Sequence, residues 1–179
     1  MPAADPLVVL LNGPLGIGKS TLGEVLGEAI DRSVTLDGDA LAALNPPPAD
    51  AVASLHETIA LLVGHHLAGG YGRFVINHYW SSAGEIADLT GRLRAVASGV
   101  RVRCFRLTLP REANLQRIER RQGARAIDEA EFEAAHFAEE YALLSAAQGD
   151  ELGVPFDASD APDLLAARLI RLLGLQPTT

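Results

Sequence analysis

The segment Gly13-Pro14-Leu15-Gly16-Ile17-Gly18-Lys19-Ser20 constrains this chain more than any other, and it contains the only lysine among 179 residues. It fits G-x-x-x-x-G-K-[ST] at every required position. Glycines let the backbone curl so that successive N–H groups converge on phosphate oxygens, and a following helix adds its positive N-terminal dipole. Lys19 supplies a compact mobile charge, and the Ser20 hydroxyl is placed to hold Mg²⁺. The flanks agree: Leu7-Val8-Val9-Leu10-Leu11 is an apolar run suited to a buried strand, and Thr21-Leu22-Gly23-Glu24-Val25-Leu26 opens a helix-like pattern. Strand, glycine loop and helix in that order predict a nucleoside triphosphate site lined by residues 13–21.

Length and composition narrow the class. A chain of this size is expected to be one domain. Hydrophobic residues make up 48% of it and aromatics 5%, as in an Ala/Leu/Val-rich α/β protein. Net charge is −8, which argues against a general nucleic-acid-binding role, because such proteins need a basic field. Cys104 stands alone in an apolar-alternating stretch and reads as a small core residue. No apolar run is long enough to cross a membrane, and Met1-Pro2-Ala3-Ala4-Asp5-Pro6 lacks the pattern of a signal peptide. The expectation is a cytoplasmic protein with no membrane partner.

Strand-like and helix-like segments alternate, which predicts a three-layer α/β/α fold around a parallel sheet. Strands are expected near 7–12, 33–37, 73–79, 100–108 and 153–157. Helices are expected near 19–30, 51–68, 83–98, 110–122, 129–147 and 161–173. Asp128 and Glu131 resemble a capping box for the helix from 129. Ligands in such folds sit beyond the carboxyl ends of the strands, so residues 12–20, 37–41, 77–81, 109–128 and 155–159 are where chemistry is sought.

Val34-Thr35-Leu36-Asp37-Gly38-Asp39 places two carboxylates at the end of the second expected strand. Alternation points both towards the mouth that holds the phosphate loop. Phosphoryl transfer needs two acidic functions there: one carboxylate to hold Mg²⁺ and another to accept a hydroxyl proton. A second basic cluster follows at 115–125, where Arg117, Arg120 and Arg121 lie at i, i+3 and i+4 on a helix and Arg125 follows Gly123. Guanidinium groups there would spread over a transferring phosphoryl group. Arg120 also fits a solvated helix face paired with acids such as Glu112 and Glu119.

With these motifs the chain resembles the small P-loop kinases grouped with gluconate kinase, shikimate kinase and chloramphenicol phosphotransferase. The resemblance implies a five-stranded sheet of order 2-3-1-4-5. It also implies a single kinase-like domain over 1–179, with an acceptor-binding insertion at about 39–71 and an arginine-bearing lid at about 117–128. By that resemblance Asp39 is the general base, Asp37 lies nearer the metal, and Arg117, Arg121 and Arg125 act with Lys19 in transfer. Pro155 would flank the adenine of ATP, with Arg117 on its other face.

Absences exclude other classes. A guanine-specific Asn/Thr-Lys-x-Asp motif needs a second lysine, and there is none. The segments Val75-Ile76-Asn77-His78-Tyr79-Trp80 and Leu107-Thr108-Leu109 end without the acid that motor ATPases use on Mg²⁺ and water. Asn77 and His78 stand at a strand mouth, where His78 fits either a half-buried packing role or a proton carrier; Trp80 fits either stacking on a ligand or packing under a helix. His56, His65 and His66 are poorly spaced for one metal ion. Between Arg32 and Arg73 there is no lysine or arginine, whereas anionic acceptors are clamped by such residues. The expectation is a Mg-ATP-dependent kinase acting on a hydroxyl of a neutral or cationic small molecule, such as a sugar, nucleoside or antibiotic. Its rivals are a non-catalytic ATP-binding signalling module and a polynucleotide 5′-hydroxyl kinase.

Overall fold

Every residue of β1 (Leu7–Asn12) is buried, as a strand in the middle of a parallel sheet requires. Its side chains feed two separate cores. Leu7, Val9 and Leu11 join Leu22, Leu26, Phe156, Leu165 and Leu169 on one face. Val8 and Leu10 join Leu55, Ile59, Phe74, Trp80, Leu89 and Leu93 on the other. The strand period of two therefore sorts one apolar run into two layers of helices. The computed structural model of the chain describes residues 5–122 and 127–176, and of 121, 122 and 127–135 it describes the backbone alone.

Around β1 the chain runs α1 (Lys19–Glu28), β2 (Ser33–Asp37), α2 (Gly38–Ala42), α3 (Ala51–Ala68) and β3 (Arg73–Asn77). It continues as α4 (Ala83–Val96), β4 (Arg101–Thr108), α5 (Arg111–Gln122), α6 (Ile127–Ala146), β5 (Val154–Asp157) and α7 (Pro162–Leu173). All four strand pairings are parallel, and the order is β2-β3-β1-β4-β5, as the resemblance implies. Helices α1 and α7 cover one face and α3 and α4 the other.

Three local features differ from expectation. The segment 38–42 is helical, because the Asp37 side chain accepts hydrogen bonds from the Asp39 and Ala40 amides and starts a turn. β3 ends at Asn77, so His78 and Tyr79 leave the sheet and enter a loop. Helix α6 is described over Ile127–Ala146, so the backbone of Asp128 is helical and not that of a cap before the helix.

Register places the site. Asp37 pairs with Asn77, which pairs with Leu11, so the carboxyl ends of β2, β3 and β1 lie side by side. Asn12 locks the adjoining loops together. Its fully buried amide donates to the Trp80 and Leu152 carbonyls and accepts from the Trp80 and Gly13 N–H groups.

Candidate active site

The phosphate loop lies between β1 and α1, and one face of α5 grips its underside. Asn114 Nδ2 donates to the Leu15 carbonyl at 2.8 Å and Arg117 Nη1 to the Ile17 carbonyl at 2.7 Å. Ile118 fills the space beside Gly16, where an added Cβ would collide with Ile118 Cγ1. Gly16 also has φ +75°, a conformation that glycine adopts without strain. Positions 114, 117 and 118 thus follow the i, i+3, i+4 spacing of one helical face, each meeting a different loop residue.

Arg117 is half-buried and also donates to the Ala158 carbonyl at 2.8 Å, tying the phosphate loop to the segment after β5. Beside it opens a cavity of about 410 Å³, lined by Gly18, Thr21, Arg117, Ser159, Asp160 and Pro162 among others. That volume suits a small organic ligand. Exposed Arg120 lines it too. Pro155 does not reach this cavity. It is an exposed residue of β5, in register with Arg106, and Pro162 at the start of α7 lines the wall instead. A proline on an edge strand costs no ladder hydrogen bond on its open side.

Lys19 is buried and donates to the Gly13 carbonyl at 2.8 Å and the Pro14 carbonyl at 3.3 Å. Next to it Ser20 Oγ donates to Asp37 Oδ2 at 3.1 Å. Asn77 Nδ2 reaches the same carboxylate oxygen at 2.8 Å and Ser20 Oγ at 3.3 Å. The Ser20 hydroxyl and the Asp37 carboxylate meet here as hard oxygen ligands of the kind that suits Mg²⁺, and the Asn77 amide holds both in place by donating to them.

Asp39 behaves differently. It lies in the first turn of α2 rather than on the strand, and among the described residues its side-chain partner differs from those of Asp37. Asp39 Oδ1 lies 2.8 Å from His78 Nδ1, and its side chain is 66% exposed against 21% for the histidine. The hydrogen bond from His78 holds the Asp39 carboxyl below the usual range; burial opposes this, and the charges of His78 and Lys19 add to it. Gly38 makes the pairing possible, because a Cβ there would stand 2.7 Å from two carbons of His78.

On the far side of the loop, Glu140 Oε2 accepts the Leu15 N–H at 2.7 Å. Burial raises the Glu140 carboxyl, the Leu15 hydrogen bond and the charges of Lys19 and His136 oppose this, and the charge of Asp39 adds to it. Burial also raises the Tyr79 hydroxyl, reinforced by the carboxylates of Glu140, Glu85 and Glu139. The phenol therefore stays protonated in a negative field.

The structure brings together Gly13 to Thr21, Asp37, Asp39 and Arg117. Arg125 and the side chain of Arg121 lie outside the described residues. Trp80 is 1% exposed and packs in the core against the sheet, which removes it as a ligand-stacking surface. Sequence reasoning passed over Asn12, Asn114, Glu140 and Pro162. The i, i+3 relation of Asn114 to Arg117 was the one local signal for any of them.

No curated protein sequence matches the chain. Among solved structures it is similar to a tunicamycin resistance protein of Deinococcus radiodurans, at 17% identity and TM-score 0.70, over 98% of this chain and 99% of that one. A sugar kinase of Janibacter sp. HTCC2649 superposes at 20% identity and TM-score 0.69, over 97% and 96%. A gluconokinase of Sinorhizobium meliloti 1021 does so at 19% and 0.60, over 94% and 96%. At these identities the likeness is one of fold, the five-stranded P-loop kinase architecture. Residues 8–144 match the AAA domain family, and by that match the chain belongs to it.

Proposed function

We propose that this protein is a Mg-ATP-dependent phosphotransferase acting on a hydroxyl of a small molecule. The observation that carries this reading is the division of labour between two neighbouring carboxylates. Asp37 is tied to Ser20 and Asn77. Asp39 is left open beside His78. A protein that only bound nucleotide would need the first arrangement and not the second.

In this reading the loop of residues 13–21 surrounds the phosphates of ATP, which the N–H groups of Gly16, Gly18, Lys19, Ser20 and Thr21 and the Lys19 ammonium bind, with Arg117 beside the base and Arg121 and Arg125 over the transferring group. Ser20 and Asp37 would hold Mg²⁺, which when bound neutralises charge across the β- and γ-phosphates. Asp39 accepts the acceptor's hydroxyl proton while a new O–P bond forms to that oxygen and the γ-phosphoryl parts from ADP. His78 keeps Asp39 ionised and oriented for the task. General-base help of this kind contributes about 10²–10⁴ in rate.

The acceptor side is negative in character. Residues 33–72 carry no lysine or arginine. The carboxylates of Glu85, Glu139 and Glu140 act together on Tyr79. A neutral or cationic hydroxyl compound, such as a sugar, nucleoside or antibiotic, suits that field better than an anionic one.

The test is ADP release from Mg-ATP across neutral, cationic and anionic hydroxyl compounds, with Asp39→Asn measured alongside. A neutral or cationic compound phosphorylated by the native protein and not by the variant is the expected result. Release with anionic compounds alone would overturn the acceptor class while leaving a kinase. ATP binding with no acceptor-dependent release would point to a nucleotide-binding signalling module. Activity on 5′-hydroxyl ends of nucleic acid alone would replace the small-molecule acceptor.

A further inference from the structure

The Pro14–Leu15 peptide carries opposite charges at its two ends. Its carbonyl accepts from the Lys19 ammonium at 3.3 Å, and its N–H donates to the Glu140 carboxylate at 2.7 Å. The peptide is trans, so C=O and N–H point in opposite directions. Lys19 and Glu140 therefore stand on opposite sides of it, each placed where the peptide dipole attracts its charge. Hydrogen bonds to charged groups are the stronger kind, and two on one peptide hold its plane against rotation. The next peptide is held as well, since the Leu15 carbonyl accepts from Asn114 Nδ2, an amide on a fully buried side chain.

We propose that Glu140 is a positioning residue for the phosphate loop, holding the Pro14–Leu15 peptide with its carbonyl turned to Lys19 and so linking α6 to the phosphate-binding lysine through one peptide group. This rests on the nucleotide-binding part of the function proposed above and not on the identity of the acceptor. A phosphate loop works by presenting N–H groups and keeping carbonyl oxygens away from the anion. Without Glu140 the Pro14–Leu15 peptide is held through its carbonyl, which accepts from the Ile17 N–H and the Lys19 ammonium at 3.3 Å each, and its oxygen is less firmly kept from turning towards the phosphates, which it would repel. The carboxylate belongs to the helix that follows the lid, so docking of α6 and the shape of the loop depend on each other. Glu140 has no role in the motif itself, and its distance of 125 positions from Leu15 hides it from any local pattern.

Three substitutions separate the hydrogen bond from the charge. Glu140→Gln keeps an acceptor oxygen at the same reach without charge. Glu140→Asp keeps the charge and withdraws the oxygen. Glu140→Ala removes both. The direct readout is the Kd for Mg-ATP by calorimetry, which needs no acceptor, together with the melting temperature of each protein.

Expected are Kd values within about threefold of the native protein for Glu140→Gln, and about tenfold or more weaker for both Glu140→Asp and Glu140→Ala. Unchanged or tighter binding in Glu140→Ala would overturn the inference, and so would a Glu140→Gln protein as weak as Glu140→Ala. If Glu140→Ala does not fold, the Gln and Asp variants alone decide the same question. Native protein that fails to bind Mg-ATP would overturn both this inference and the nucleotide reading. Native protein that binds Mg-ATP but phosphorylates nothing in the acceptor panel would overturn the kinase reading and leave the Glu140 comparison intact.

Discussion

Asp37 and Asp39 stand two residues apart, and one turn of backbone gives them different chemistry. Asp37 spends one oxygen on capping α2 and the other on Ser20 and Asn77. Among the described residues Asp39 has His78 as its side-chain partner. Asp39→Asn is therefore expected to lower kcat by about 10²–10⁴ while the Kd for Mg-ATP stays within about threefold. A steady-state assay and calorimetry on the same preparation check this together. The pH dependence follows from the same contact. Because the Asp39 carboxyl is held below its usual range, its ionised form survives into acid solution, and with Asp39 as the proposed base activity is expected to fall only as pH drops through that lowered value. Removing the histidine lets the carboxyl rise, so the acid limb of kcat/KM in His78→Ala is expected at higher pH than in the native protein. A limb that stays in place would show that His78 does not tune the base. Cys104 behaves as a packing residue. Burial pushes its thiol up to about 12, so it is expected to resist alkylation at neutral pH until the protein is unfolded.

At the scale of elements, α2 and α5 act through close approaches that leave no room for a methyl group. Gly38→Ala would press a Cβ into the His78 ring and separate it from Asp39. This variant is expected to show the same displaced acid limb as His78→Ala with both functional groups still present, which a pH profile tests directly. Gly16→Ala would strain a residue at φ +75° and collide with Ile118 at once. A weakening of Mg-ATP binding by at least about tenfold is expected, with α5 pushed from the loop, since strain in this region costs about 1–3 kcal/mol. The helices themselves were legible in sequence because α3, α4 and α7 run long and carry apolar side chains at helical spacing. The short α2 was not. It owes its existence to the Asp37 cap, and Asp-Gly reads equally well as a simple turn.

For the whole molecule, Asn12 joins what the sheet brings near. Its side chain binds the loop after β3, the loop before β5 and the phosphate loop in a fully buried place. Asn12→Ala leaves several of those backbone groups unpaired, so a loss of at least about 3 kcal/mol in unfolding free energy is expected by denaturant titration. The alternation of apolar strands and helices, with the glycine loop between the first pair, determined a parallel α/β sheet with phosphate chemistry at its carboxyl edge. That information is local: side-chain period, turn chemistry and a spaced motif need no distant partner. Which aspartate meets His78, which proline lines the cavity, and that Glu140 and Asn114 hold the same loop residue were decided by tertiary structure alone. Pro155 shows why. It lies three positions before Ala158, yet pairing of β5 with β4 turns it to the edge of the sheet and brings Pro162 to the cavity wall. Contacts between residues far apart in sequence depend on which strands pair and how helices dock, and the local pattern of either segment alone does not name its partner.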